Sequence, residues 1–256
     1  MPYPLRPLVI IPTYNERRNI TQLIPAILDA NDSLHILIID DKSPDRTAEE
    51  VRQLKNSCYT SRLFLESRPE KLGLGSAYIL GFKWGLAKEY DFLIQMDADW
   101  SHNPADISRM LQLAGKTDFV VGSRYVYGGG TKNWGFSRKL LSRFAGVYAR
   151  LILRSNFADF TGGFNGWSAG VLREIDLDSF RSDGYSFQLE LKYRADRLGF
   201  RHIEFPILFT ERRAGKSKMS LSIALEACWR VWKFRFDGRK ISRRPARKPE
   251  PAIHAN

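Results

Sequence analysis

The chain has 256 residues and 43% hydrophobic content, enough for one large globular domain or two small ones around a substantial core. Lys and Arg number 40 against 28 Asp and Glu, a formal charge of +12 that suits an anionic partner: nucleic acid, a phosphorylated small molecule or an anionic membrane surface. Its 2 cysteines, Cys58 and Cys228, form neither a disulfide framework nor a CxxC pair, which points to a reducing compartment.

In chain order, Pro2, Pro4 and Pro7 interrupt the regions a signal peptide needs, so none is expected. Leu8-Val9-Ile10-Ile11 reads as a buried strand that stops at Pro12-Thr13-Tyr14-Asn15-Glu16, after which Ile20, Leu23, Ile24, Ile27 and Leu28 recur at helical spacing. Residues 34–39 predict a second strand ended by Asp40-Asp41, and Ser43-Pro44-Asp45 caps a helix over 46–56. A third short strand covers 63–65. Gly73-Leu74-Gly75 precedes an amphipathic helix through Leu80, Trp84 and Leu86. The apolar run 91–97 predicts a strand ending at Asp97, with Asp99 two positions on and Asn103-Pro104 opening a helix over 104–114; Phe119-Val120-Val121 is a fifth strand. Alternating strands and helices imply an α/β fold, a mostly parallel central sheet with helices on both faces. Ligands bind such sheets beyond the carboxyl ends of the strands, where Pro12, Asp40, Asp41, Asp97, Asp99, Gly122 and Arg124 all fall.

The alternation then breaks down. Residues 125–135 form a glycine-rich loop whose Gly128-Gly129-Gly130 is read as a mobile flap or a phosphate cradle, followed by a helix over 137–153 carrying Arg138, Lys139, Ser142, Arg143 and Arg150. Residues 161–166 read as turn-rich, 185–198 as a helix with Phe187, Leu191 and Ala195 on its apolar face, and 203–209 as a late strand with Pro206 favouring an edge. Residues 212–218 are a short basic loop. Residues 219–236 form an aromatic and basic helix, suited either to a membrane interface or to packing on the core, and the proline-rich basic tail 237–256 is expected to be disordered. No apolar run approaches the roughly 18 residues that span a bilayer.

Asp97 and Asp99, one residue apart at a strand end, can share one hard cation such as Mg²⁺ or Mn²⁺, or simply form an acidic solvated turn. A metal there suits a diphosphate. Asp41 and Glu16 are placed to accept hydrogen bonds from a base or ribose, or to serve as turn and cap acids. No GxGxxG follows the first strand, and neither GxxxxGK[ST] nor G-x-S-x-G occurs; the four histidines lack metal-ligand spacing, and His102 reads as a turn residue. A nucleic-acid module would leave the strand-end aspartates unexplained, so no nucleic-acid partner is expected.

These motifs, Pro12-Thr13-Tyr14-Asn15-Glu16, Asp40-Asp41, Lys71-Leu72-Gly73-Leu74-Gly75, Asp97-Ala98-Asp99, Gly122-Ser123-Arg124-Tyr125 and Arg212 through Lys218, come in the order seen in family-2 inverting glycosyltransferases, and the chain most resembles the dolichol-phosphate (polyprenol-phosphate) mannosyltransferases. The resemblance covers about residues 8 to 236. It implies a nucleotide-diphospho-sugar transferase (GT-A) fold, a single catalytic domain over 1–236, and inverting transfer of mannose from GDP-mannose to a polyprenyl (dolichyl) phosphate. It further implies that Pro12, Tyr14, Glu16, Ile39 and Asp41 hold the guanosine, Asp97 and Asp99 the metal, with Ala98 beside the nucleotide. Arg124, Arg138 and Ser142 match the acceptor-phosphate positions, and Arg212 and Lys218 those that close on the donor phosphates. Asp99, Arg124 and Arg212 are thereby the residues expected nearest the chemistry. Ser101 stands where relatives often have Gln, and many relatives carry transmembrane helices not found in this sequence. A rival of the same fold uses UDP-glucose or a hydroxyl acceptor. The expected location is the cytoplasmic face of a membrane, held peripherally through 219–236.

Overall fold

The computed structural model describes residues 5–211 and 221–238, with the backbone alone given for Tyr185 and 221–228. Seven strands form the central sheet in the order β3-β2-β1-β4-β7-β5-β8: β1 (Pro7–Thr13), β2 (His35–Asp40), β3 (Leu63–Ser67), β4 (Phe92–Gln95), β5 (Phe119–Ser123), β7 (Asn165–Ser168) and β8 (His202–Pro206). All neighbours are parallel except β7, which lies antiparallel between β4 and β5. In β1, Leu8 and Ile10 feed one core while Val9 and Ile11 feed the other, because side chains of a strand alternate between faces. Strands covered on both faces read as continuous apolar runs, which made the first, second and fourth visible in the sequence. Pro206 closes β8 at the sheet edge, as expected of a strand that holds a proline.

Helices α1 (Arg17–Leu28), α2 (Thr47–Ser57), α3 (Leu74–Ala87) and α4 (Asp106–Ala114) follow the first four strands, and α1 buries the five apolar residues its periodicity marked out. In α3 the expected face is only the margin of the buried one, with Trp84 and Leu86 partly buried against the core. Leu80 is exposed, and the helix lies on the sheet through Gly75, Ala77, Tyr78, Gly81, Phe82 and Gly85. A Cβ on Gly81 would come 2.5 Å from Ile10 Cγ2, and one on Gly85 2.5 Å from Leu93 Cδ2, so these glycines set how closely α3 approaches β1 and β4.

The second half departs further from its sequence reading. Residues 165 and 166 of the turn-rich stretch open the antiparallel strand β7 (Asn165–Ser168), followed by the short helix α6 (Ala169–Glu174). The late strand is two: β8, then β9 (Leu208–Thr210), which pairs in parallel with β6 (Gly130–Lys132). The last of the three loop glycines therefore belongs to a paired strand rather than to a free flap. α5 (Phe136–Leu153) and α7 (Gly184–Arg197) lie where predicted, and α8 (Leu221–Asp237) packs on both. Val231 and Phe234 of α8 enter the core, while Trp229, Trp232 and Phe236 face outward. No helix of the described residues is long and apolar enough to cross a membrane.

Candidate active site

The loops after β1, β2 and β4 meet at the carboxyl end of the sheet, and each turns through a non-glycine residue with positive φ: Asn15 at 62°, Lys42 at 51° and Trp100 at 63°. Such backbone costs on the order of 1–3 kcal/mol per residue and persists where its surroundings fix it. Asp40 is part of that fixing. Its carboxylate accepts from Thr13 Oγ1 at 2.9 Å, Ser43 Oγ at 2.6 Å and Ser43 N at 2.9 Å, tying the first two loops together. Thr47 extends the tie, its Oγ1 accepting from Glu16 N at 3.1 Å.

The residues matched to the guanosine fall into unlike environments. Pro12 is half-buried at the end of β1, and Tyr14 is 38% exposed with Lys71 Nζ 3.8 Å above its ring. Glu16 is half-buried and accepts from Asn19 Nδ2 at 2.6 Å. The Ile39 side chain is wholly buried in the core, which leaves only its backbone for a ligand. Asp41 is buried in an ion pair with Arg68, whose guanidinium also donates to Ser76 Oγ at 2.6 Å and Gly73 O at 2.9 Å. Arg68 went unnoticed in the sequence. It follows β3 directly, and the strand-end rule that picked out the other residues would have found it.

The aspartate turn begins past the end of β4, which stops at Gln95 rather than at Asp97. Asp97 is half-buried and Asp99 buried, with Asp99 Oδ1 accepting from Ser101 N at 3.0 Å; Ala98 packs into the core beneath them. A Cβ on Gly163 would lie 3.7 Å from Asp97 Oδ2 and 3.7 Å from Gln188 Nε2, so the glycine keeps that side of the carboxylate open. Tyr78, buried below, has its hydroxyl pKa pushed well up by burial first and then by the charges of Asp97 and Asp99. His102 is more than a turn residue: buried and stacked on Phe164, it accepts from Asp97 N at 3.3 Å through Nδ1. Burial lowers its pKa to about 4 against the opposing pull of Asp99, so the ring is neutral near pH 7 and free to accept. Among the described residues no three His, Cys, Asp or Glu side chains converge as a metal cage. Two carboxylates with open space beside one of them fit a hard cation that takes its remaining ligands from a diphosphate.

Arg124 has a different surrounding from that of an open anion site. It is buried and bidentate on Asp159, with Nε to Oδ2 at 2.7 Å and Nη2 to Oδ1 at 2.7 Å, and it also donates to Thr161 Oγ1 at 2.6 Å. Burial alone would raise the Asp159 pKa, but Arg124 and then Lys192 outweigh it and hold the carboxyl well below the usual range. Lys192, buried, donates to the carbonyls of Asp159 at 2.8 Å and Gly162 at 2.9 Å, and burial lowers its pKa to about 8. This cluster fixes the 159–163 turn whose Gly163 faces Asp97.

Arg138 and Ser142 share the crevice side of α5. Ser142 Oγ accepts from Tyr125 OH at 2.6 Å; Arg138 donates to Glu211 Oε1 at 2.7 Å and lies 4.1 Å from the Trp134 ring centre, with Arg124 5.5 Å from that same ring. Phe209 links them to the aspartate turn, its ring 5.5 Å from Trp134 and 5.4 Å from His102. Arg212 and Lys218 lie outside the described residues, as do the tail from 239 onward and the side chains of Leu221, Ile223 and Leu225. Thr210 N donates to Ser101 O at 3.1 Å, which ties the end of β9 to the aspartate turn. A separate hollow of about 450 Å³, lined by His102, Arg109 and Leu208 among others, contains none of these aspartates.

Residues 8–176 match the model of glycosyl transferase family 2. The polyprenol monophosphomannose synthase of Mycolicibacterium smegmatis is 43% identical over 235 residues, 91% of this chain and 88% of that one. The undecaprenyl-phosphate mannosyltransferase of Micrococcus luteus is 43% identical over 225 residues, 87% and 91% of the two chains. Among solved structures, glucosyl-3-phosphoglycerate synthase of Mycobacterium tuberculosis superposes with a TM-score of 0.63 at 17% identity, covering 94% of this chain and 82% of that one. A mannosyltransferase of Pyrobaculum calidifontis, in complex with GDP-Man and Mn²⁺, gives 0.56 at 18%, covering 93% and 74%. The fold is the GT-A fold, and the chain belongs to glycosyl transferase family 2.

Proposed function

We propose that this glycosyltransferase moves mannose from GDP-mannose to a polyprenyl phosphate with inversion, as one catalytic domain over residues 1–236. The observation that supports the reading is the run of contacts from the Asp97–Asp99 turn through His102, Phe209 and Trp134 to Arg138, along which a donor diphosphate at the aspartates and an acceptor anion at Arg138 would lie side by side. The names of the two relatives at 43% identity supply the acceptor class and the sugar.

A polyprenyl phosphate is already ionised near pH 7, so the nucleophile needs positioning rather than a general base. One of its oxygens attacks the anomeric carbon from the face opposite the diphosphate; the new C–O bond forms as the bond to GDP breaks, and the electron pair leaves with GDP. Asp97 and Asp99 would hold Mg²⁺ or Mn²⁺, whose charge offsets that of the leaving diphosphate. Tyr14 offers an exposed ring for the base, while Asp41 is held by Arg68 and reaches a ribose only as a member of that pair. Arg138 takes the acceptor phosphate, exchanging its ion pair with Glu211 for that anion. Ser142 and Tyr125 hold the adjacent wall. Arg124 holds the 159–163 turn, and the resemblance assigns Arg212 and Lys218 to the donor phosphates. Because the acceptor's tail stays in the bilayer, the enzyme works peripherally on the cytoplasmic face, where the outward Trp229, Trp232 and Phe236 meet lipid.

The test is transfer of labelled mannose from GDP-mannose to a short prenyl phosphate, with UDP-glucose as the competing donor and EDTA as the metal control. Transfer that GDP-mannose alone supports, that EDTA abolishes and that Asp99→Ala reduces by several orders of magnitude is the expected outcome. Full activity in EDTA refutes the metal assignment, and preference for UDP-glucose refutes the donor.

A further inference from the structure

A buried polar chain runs from the sheet to α7 beside the aspartate turn. Gln95 ends β4, Asn165 and Trp167 lie on the neighbouring β7, and Gln188 stands near the start of α7; all are buried. The indole of Trp167 can only donate, and its Nε1 does so to Gln95 Oε1 at 2.9 Å, which fixes which way round the Gln95 amide sits. Asn165 must then turn its NH₂ toward that oxygen, and its Nδ2 donates at 3.1 Å to Gln95 Oε1, to the Gly162 carbonyl and to Gln188 Oε1. With its oxygen committed to Asn165, Gln188 presents its own NH₂ to the other side. Among the described residues that Nε2 has no hydrogen-bond partner. A buried donor without an acceptor is costly, and its presence calls for a partner that the protein itself does not supply.

The Gln188 amide looks onto Gly163. Nothing among the described residues requires a glycine there: its φ is not positive, and a Cβ would meet only ordinary contacts, 3.7 Å from Gln188 Nε2, 3.7 Å from Asp97 Oδ2 and 3.8 Å from Asp97 Oδ1. The absent side chain leaves a small space with an amide donor on one wall and a carboxylate on another. A hydroxyl suits both at once, accepting from Gln188 and donating to Asp97, and an ionised carboxylate has lone pairs enough for a cation and a hydroxyl together. We propose that Gln188 is a specificity-determining residue that reads one hydroxyl of the donor sugar across Gly163. The assignment rests on the nucleotide-sugar reading of the aspartate turn and narrows it. The sugar lies on the Gly163 side of Asp97, and the orientation of the amide that recognises it is set from within the sheet, by the indole N–H of Trp167.

The experiment compares the full-length wild type with Gln188→Met, which keeps the bulk and loses the amide, on GDP-mannose and on analogues that each lack one sugar hydroxyl. In the wild type one analogue should fall at least about tenfold below GDP-mannose in kcat/KM, because a site built to bond a hydroxyl rejects its absence. In Gln188→Met that penalty should shrink to within about twofold, GDP-mannose itself having become the poorer substrate. Gly163→Ala, whose methyl takes the space, should impair transfer from GDP-mannose and keep the melting temperature, which keeps the test open if Gln188→Met folds poorly. The same penalty in wild type and Gln188→Met overturns the proposal. So does a uniform loss across all analogues, the signature of an amide that braces the turn or holds a water, and so does full activity of Gly163→Ala. If UDP-glucose proves to be the donor, the GDP-mannose reading fails, and the matching UDP-glucose analogues put Gln188 to the same comparison. In a protein that binds the nucleotide sugar without transferring it to a prenyl phosphate, calorimetric Kd values carry the comparison in place of kcat/KM.

Discussion

The guanidinium of Arg124 and the carboxylate of Asp159 are both buried, and removing the carboxylate takes away the anion that Arg124 and Lys192 both face. Asp159→Ala should cost about 3–5 kcal/mol in denaturant unfolding, because the cost of an unpaired buried ion exceeds the net value of the pair. The same pair sets an acid limit. Asp159 is held below its ordinary pKa of 3.8 in the folded protein, so on acidification the unfolded chain takes up its proton first. The stability this group contributes is therefore complete above about pH 4 and declines as pH falls below it; Asp159→Asn should flatten that part of a melting-temperature profile. Arg138 differs, being partly exposed and, among the described residues, ion-paired only with Glu211 across the crevice wall. Arg138→Ala should raise the KM for acceptor and leave GDP-mannose affinity, measured by calorimetry, within about twofold. A fall in donor affinity instead would exchange the two anion positions. Single residues were the least legible part of the sequence. Asp41 and Arg68 are 27 positions apart and Arg124 and Asp159 35, and no local pattern announces a pairing over such distances.

At the scale of elements, legibility followed burial. Strands covered on both faces and helices with one apolar stripe, α1 and α7 above all, stand in the sequence much as they stand in the fold. α3 and β7 do not, because both use glycine as a packing residue. Gly81→Ala gains helix propensity of about 1 kcal/mol but drives a methyl into Ile10, and overpacking of about 1–3 kcal/mol should make the net change destabilising. Gly166→Ala is the harsher case. Its Cβ would stand 2.4 Å from the Phe92 ring and 2.7 Å from Met110 Sδ, in the middle of the sheet, and its melting temperature should fall further than that of Gly81→Ala. A four-residue strand with a glycine at its centre looks like a turn to any reading based on composition. The outward face of α5, where Phe136, Leu140, Phe144 and Leu151 lie exposed, was hidden for the opposite reason: its apolar residues have ordinary helical spacing, and only the fold reveals that the stripe of Ser142, Gly146, Ala149 and Leu153 is the covered one.

For the whole molecule, α8 joins the catalytic body to its periphery. Val231 and Phe234 belong to the core, and a Cβ on Gly238 would stand 2.5 Å from the ring of Tyr193. Deleting residues 219–256 should thus lower the melting temperature as well as vesicle binding, whereas replacing Trp229, Trp232 and Phe236 with serine should affect vesicle binding alone. The antiparallel strand has a consequence of another kind, one that concerns the order of events as the chain leaves the ribosome. β4 and β5 are consecutive parallel strands on the same side of the chain's midpoint, yet they never touch, since β7 from beyond residue 160 fills the gap between them. Until that segment emerges, β4 presents an open, apolar edge and β5 has no neighbour, its other partner β8 arriving later still. Unpaired edges of this sort invite association with other chains, and contacts so distant in sequence form slowly. A fragment ending near residue 160 should therefore aggregate where the full chain stays monodisperse, a difference that light scattering of the two would show.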